Sequence, residues 1–477
     1  MTRAGVMFLC IVFSHVALVS PARAAAAATQ PLDARALYDR VTPSLVAVQY
    51  IWENELGRQE LTGAGAVVGE GGLVMTSLSM FDLPLRSGLL RIPDKQLTDF
   101  KIIVPSQDKQ ADEIDAVFLG RDERSNTAFI KPQSPQNWPV VKFQQIKPEI
   151  GQRVYSIGLL PERAAYKSYY TQGIVSAHLR GESPQVLVVG GGLAAIGSPV
   201  FNADGHAIGF VNSQPQQTPF LNDPRNALQA ITQPPMFFVP AADLLISIND
   251  PPRAGAELAL PWLGLPQQAM AGVNKDVAES MGLGDEPALE VGDVIPGSPA
   301  EKAGLKPGHI IVKINGQPIE RADEVQELPG IVSRTIRRMK VGDTVTLSVL
   351  EAKGQPLKEI KVKLEERPRG ANLAERWYAE DTGFSVREIV FMDAYVRKLD
   401  KDAKGVVVSL IKDNSSAAAA KLAMNDLITE MNGQPVTDLE QFKKAYESAR
   451  KENPREAIVL VVLRDGNTQT IRIEPPQ

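Results

Sequence analysis

Histidine and cysteine are the side chains most often able to move a proton or attack near neutral pH, and both are scarce in this 477-residue chain. Its four histidines are His15, His178, His206 and His309, and its one cysteine is Cys10. His178 follows Ile174-Val-Ser-Ala177 at the end of an apolar run. His206 lies in Asp204-Gly-His206 and His309 in Pro307-Gly-His309. A metal needs ligands that converge at regular spacing, so these scattered histidines predict exposed turn residues, with no metal and no cofactor. Cys10 lies in residues 6–20, an uncharged, largely apolar run after Arg3 and before Ala22-Arg-Ala24. The run is short for a membrane span and suits a secretory signal cleaved near Ala24. Cleavage removes Cys10, and with it any disulfide, thiolate nucleophile or cysteine-ligated metal. The sequence therefore predicts an exported protein, periplasmic or extracellular, with no integral membrane segment after processing.

The elements that must carry any site follow from length and pattern. The length suggests about three domains. Lys+Arg of 51 against Asp+Glu of 56 gives a net charge of −5, which excludes the basic surface that nucleic acid requires. Residues 31–250 hold short apolar runs broken by Gly, Pro, Asn and Asp, among them Ala64-Gly-Ala-Val-Val68, Arg153-Val-Tyr-Ser-Ile157 and Ala207-Ile-Gly-Phe-Val211. Many short strands with turn signals predict an all-β barrel or sandwich. A stretch rich in Pro, Gln and Asn runs from Asn212 to about Pro235, and Asn249-Asp-Pro-Pro-Arg253 reads as a linker. Beyond it, residues 294–319 align without gaps on 411–436: Ser298 meets Ser415, and Asn315-Gly-Gln-Pro meets Asn432-Gly-Gln-Pro. So long a period marks a duplicated domain. Each copy reads as strands, a short Ala-rich helix, an Asn-Gly turn, a longer helix (about 322–339 and 437–451) and two closing strands.

Pro261-Trp-Leu-Gly-Leu265 and this repeat resemble tandem PDZ domains. Behind an exported all-β domain they resemble the HtrA/Deg family of trypsin-like proteases across essentially the whole mature chain. Gly63-Ala-Gly-Ala-Val67, Gly72-Leu-Val-Met-Thr76, Thr171-Gln-Gly-Ile-Val-Ser-Ala177 and Gly197-Ser-Pro-Val-Phe-Asn-Ala-Asp-Gly205 carry the likeness in the barrels. The resemblance implies a mainly β chain, a trypsin-like double β-barrel followed by two α+β PDZ domains. The expected division is a signal peptide at 1–24, a trypsin-like domain at 25–250, and PDZ domains at 258–366 and 375–477.

The family's chemistry does not carry over. Thr76-Ser-Leu-Ser79 stands where members have Thr-Asn-x-His, which puts Ser79 at the general-base position. The orienting aspartate falls on Asn126. Gly-Asn-Ser-Gly-Gly-Pro falls on Ala194-Ala-Ile-Gly-Ser-Pro199, which puts Ile196 at the nucleophile. Independently of that alignment, residues 25–177 contain no histidine, and a trypsin-ordered triad needs one in the first barrel. Ile196 can neither ionise nor attack. Ser198, two residues on, is the weak candidate for a shifted nucleophile, and needs a base within about 2.6–3.2 Å. The expectation is a pseudoprotease. The alternatives are a serine endopeptidase with an unorthodox site near Ser198, and a pure PDZ scaffold.

Function then falls to the PDZ grooves, where an extended peptide is added as a strand between a sheet edge and the long helix. In the first copy the candidate residues are Trp262, Leu263, Gly264 and Leu265, facing Val332 and Ile336. In the second they are Gly383, Phe384, Ser385 and Val386, facing Leu439, Phe442 and Ala445. These apolar linings suit hydrophobic C-termini or exposed segments of unfolded chains, consistent with a holdase or adaptor in protein quality control. The competing expectation is that the grooves dock on the chain's own barrel or on each other. The resemblance also implies a homo- or hetero-oligomer, trimeric in the family, with an active relative as a candidate partner. Asp122-Glu-Arg-Ser125 and the basic set Arg334, Arg337, Arg338 and Lys340 read as solvated charge.

Overall fold

The computed structural model describes residues 33–54, 57–85, 88–106, 111–213, 236–255, 259–371, 373–400 and 403–475. The expected signal peptide and all but the first two residues of the Pro/Gln/Asn-rich stretch lie outside the described residues. Six antiparallel strands close a first barrel in the order Leu45–Asn54, Gly57–Gly69, Leu73–Ser77, Thr127–Pro132, Asp112–Asp122 and Leu97–Val104. A second barrel closes in the order Ser168–Leu179, Gln185–Val189, Met236–Pro240, Ala207–Phe210, Pro199–Phe201 and Arg153–Leu159.

The period-2 alternation of a strand explains how one chain builds three β cores here. On Leu45–Asn54, Val46, Val48 and Tyr50 point into the first barrel. Leu45 and Ala47 point the other way, into a core shared with Tyr155, Ile157, Phe201 and Phe210 of the second barrel. The second barrel's interior is filled by Val154, Val186, Val188, Ile208, Phe238 and their neighbours. The barrels are thus fused through an apolar core.

The two copies of the repeat share one plan. The first has strands Met270–Gly272, Leu289–Val291, Ile310–Ile314, Thr344–Leu350 and Lys358–Lys363 with helix Leu328–Arg337. The second has Phe384–Arg387, Val406–Ile411, Leu427–Met431, Ile458–Arg464 and Asn467–Ile473 with helix Leu439–Glu452. The repeated residues explain the likeness. Ser298 and Ser415 each cap a short helix, accepting from Glu301 N and Ala418 N. Asn315 and Asn432 adopt left-handed φ of 50° and 49°, and each side-chain oxygen accepts a neighbouring strand's N–H at 2.8 Å. Among the described residues no helix is long and apolar enough to cross a membrane.

Candidate functional site

The structure gathers Ser79, Asn126 and the Ile196 loop at the barrel junction, around the short segment Val211–Asn212. The Ser77 and Ser79 hydroxyls lie 2.7 Å apart, and both donate to the Asn212 carbonyl. The Asn212 side-chain amide donates to the Ser125 carbonyl at 2.8 Å. Asn126 itself takes a left-handed φ of 55°, and its carbonyl accepts from Leu78 N at 3.1 Å. Val211 holds the opposite side: Gly197 N donates to its carbonyl at 2.8 Å, and its own N–H reaches Ser198 O at 2.9 Å. The junction is lined here by hydroxyls and amides, groups that do not titrate near neutral pH.

Ile196 is 4% exposed and packs into the second barrel's core with Leu193, Val200 and Phe238. Its neighbours are tied down too. Ala195 N donates to the Tyr169 hydroxyl at 2.8 Å. Burial pushes the Tyr169 phenol up to about 12, against the smaller opposite pull of that N–H. Gly197 has φ of 97°, and a Cβ there would lie 2.1 Å from the Ala64 carbonyl of the first barrel, so only glycine fits this approach. Ser198 is 1% exposed, and its hydroxyl has no hydrogen-bond partner among the described residues. It lies against Gly158, where an added Cβ would come within 2.5 Å of its hydroxyl oxygen. A lone buried hydroxyl of this kind is not an activated nucleophile.

In the first copy the predicted groove residues come together. Leu263, Gly264 and Leu265 on one side and Val332 and Ile336 on the other line a cleft of about 250 Å³. The Gly264 carbonyl accepts from Ile295 N at 3.0 Å, which fixes the turn. Glu182 of the second barrel and Met392 of the second copy also line this cleft, and Trp262 packs edge-on to Phe391 with ring centroids 5.7 Å apart. These flanking residues come from distant sequence, and nothing in the linear pattern pointed to them. The receiving backbone is short: Pro266 has no N–H, and Gln267–Ala269 turn into a 3-10 helix. In the second copy Gly383, Phe384, Ser385, Val386, Leu439 and Phe442 also share one region, but another strand lies between them. That strand, Arg376–Ala379, pairs with Phe384–Arg387.

Three readings of isolated residues need correction. The basic set on the first copy's helix is only partly solvated: Lys340 is exposed, but the three arginines are paired. Arg334 is 5% exposed, bonds the Gly181 carbonyl and pairs with Glu320. Arg337 pairs with Glu182 at 2.9 Å, and Arg338 with Asp243. The helix uses these arginines to dock on the second barrel: Gly181, Glu182 and Asp243 lie more than ninety residues away in sequence, and Glu320 only 14. Asp122 is fully buried and holds Arg124 through both carboxylate oxygens. His309 is 7% exposed rather than free in a turn, and burial lowers its pKa; His178 and His206 are half-buried.

Comparison with known proteins places this geometry. Residues 63–210 match the trypsin-like peptidase domain, and residues 290–329 and 390–474 each match a PDZ domain. A DegP-like periplasmic serine endoprotease of a Marinomonas species is 28% identical over 400 residues, covering 81% of this chain and 74% of the relative. One from Pseudomonas fulva is 27% identical over 434 residues, covering 87% and 80%. Among solved structures, the HtrA-type protease AlgW with a decapeptide shares the fold at 18% identity with a TM-score of 0.50. It covers 71% of this chain and is itself covered over its full length.

Proposed function

We propose that this chain, with a trypsin-like peptidase domain and two PDZ domains as in the HtrA/Deg family, has lost peptide hydrolysis and works by binding peptides. The observation that carries this reading is Ile196. An apolar side chain at the proposed nucleophile position is packed into the barrel core, and the hydroxyl of Ser198 beside it has no partner among the described residues. A serine needs a base to become a nucleophile, and the junction offers hydroxyls and amides instead. The proposed division is a signal peptide at 1–24, an inactive barrel domain at 25–250, and PDZ domains at 258–366 and 375–477, acting in the periplasm.

The first copy's cleft supports the binding half of the proposal. Its apolar walls, Leu263, Leu265, Val332 and Ile336, suit an apolar side chain at the end of a peptide. The turn at Gly264 stands where backbone N–H groups would meet the terminal carboxylate. Because Pro266 interrupts the receiving strand, recognition falls on the last few residues of the ligand. Misfolded envelope proteins, or an active relative that this chain regulates, are the partners this chemistry fits.

Hydrolysis of an unfolded protein by the chain without residues 1–24, beside its Ser198→Ala variant, tests the reading. The expected result is no turnover above buffer in either. Turnover that disappears in the variant would make Ser198 the nucleophile and this chain an enzyme. Turnover that survives it would place a working site elsewhere, and would equally sink the proposal.

A further inference from the structure

The strand Phe384–Arg387 of the second copy is paired on both edges. Val406–Ile411 lies along one edge, and Arg376–Ala379 runs antiparallel along the other, with Ala379 opposite Phe384 and Arg376 opposite Arg387. The added strand also meets the long helix. The Trp377 ring lies 5.9 Å from Phe442 and 5.1 Å from Tyr446, centroid to centroid. A segment between the sheet edge and the helix, antiparallel to the edge, is where a strand-adding peptide would sit.

The end of the segment fits as closely as its middle. Gly383 N–H donates to the Ala379 carbonyl at 2.8 Å, the position where a peptide's terminal carboxylate would be met. Gly383 is the counterpart of Gly264. Both have left-handed φ, 76° and 92°, and both lie against the capping serine of their copy, Ser415 and Ser298. Their carbonyls accept from Lys412 N at 2.8 Å and Ile295 N at 3.0 Å. Ala379 is 1% exposed. The connection back to the strand is pinned as well: Tyr446 donates to Asp381 at 2.8 Å, and Arg450 pairs with Asp381 at 2.7 Å.

We infer that the second PDZ groove is a binding site whose ligand is the chain's own Arg376–Ala379 strand, anchored by Trp377. Resting on the reading of the first copy given above, this leaves the first groove as the one that takes peptides from other proteins. A short tether holds a ligand at an effective concentration in the mM range. The connection here is only 380–383 and is itself fixed, so a free peptide of similar intrinsic affinity competes poorly.

The probe is the hexapeptide Ala-Glu-Arg-Trp-Tyr-Ala, the sequence of residues 374–379, with a free C-terminal carboxylate and a photo-crosslinker on its N-terminus. With the full chain, no crosslinks to 439–446 are expected; in Trp377→Ala they should rise at least tenfold. Equal labelling of 439–446 in both proteins would overturn the inference. So would a Trp377→Ala chain that keeps helix 439–452 protected from hydrogen exchange yet takes no peptide. Should that variant unfold, exchange on the unmodified chain decides. Amides of 376–379 protected as well as those of 406–411 support the closed groove, and free exchange in 376–379 refutes it. Crosslinks at Val332 or Ile336 report separately on the first groove, so failure of that reading and failure of this one look different.

Discussion

The two copies of the repeat begin from one plan and end in different states. In the first, the segment before the groove turn, Pro261–Trp262, pairs with Glu365–Glu366 at the far end of its own copy, and the groove stays open as a cleft. In the second, the equivalent approach folds back along the groove edge as Arg376–Ala379 and fills it. The framework residues are the same in both: a left-handed glycine, a capping serine and an Asn-Gly turn. Occupancy is decided by the few residues that lead in. At the barrels too a side chain turns inward: Ile196 packs into the second barrel's core.

Filled places should behave as packing, and open ones should not. The largest effect is expected at Phe442, which is fully buried against Trp377, Phe384 and Tyr446. Phe442→Ala should cost about 3–5 kcal/mol and melt the second copy ahead of the first, followed by chemical denaturation with a probe in each copy. Loss of less than ~1 kcal/mol would mean the groove is not packed shut. Ile196→Ala should cost about 2–5 kcal/mol at the barrels for the same reason. A nucleophile position would tolerate alanine; a core position does not.

Smaller effects test how the open groove is mounted. Arg334→Ala removes charged hydrogen bonds to Gly181 O and Glu320, and should cost about 1.5–3 kcal/mol, discounted because Glu320 is half exposed. Faster hydrogen exchange in both 328–337 and 180–184 is the expected readout; exchange unchanged at 180–184 would show that the dock is not coupled. In the second copy, Arg387 grips Asp393 through both oxygens, at 2.5 and 2.9 Å. Burial pushes the Asp393 carboxyl up, but the bonds from Arg387 and Val390 N–H outweigh it and hold the group below its ordinary 3.8. A depressed carboxylate pKa means the unfolded chain binds more protons as pH falls, so this stabilisation is complete above about pH 4 and is lost as pH drops through the folded value. Asp393→Asn should therefore cost about 1 kcal/mol at pH 7 and progressively less in acid, measured by denaturation across pH. Ser198→Ala should change stability by less than ~0.5 kcal/mol, because the hydroxyl it removes bonds nothing among the described residues.

What the sequence determined by itself was whatever depends on local pattern or on residue type. Strand-length apolar runs, the repeated Asn-Gly-Gln-Pro and the absence of histidine from 25–177 are properties of neighbours along the chain, and the folded barrels and repeat carry them. The isoleucine at position 196 was equally legible, since no fold can make an aliphatic side chain a nucleophile. What only the tertiary structure decided was which faces meet. The helix arginines looked solvated because their partners, Gly181, Glu182 and Asp243, come from another part of the chain. Asp122 looked solvated because a turn sequence does not show that it points inward. Trp377 gave no signal at all. Whether a strand pairs with its own groove or with a distant edge depends on long-range register, and the energy of that choice is shared among residues that the sequence keeps apart.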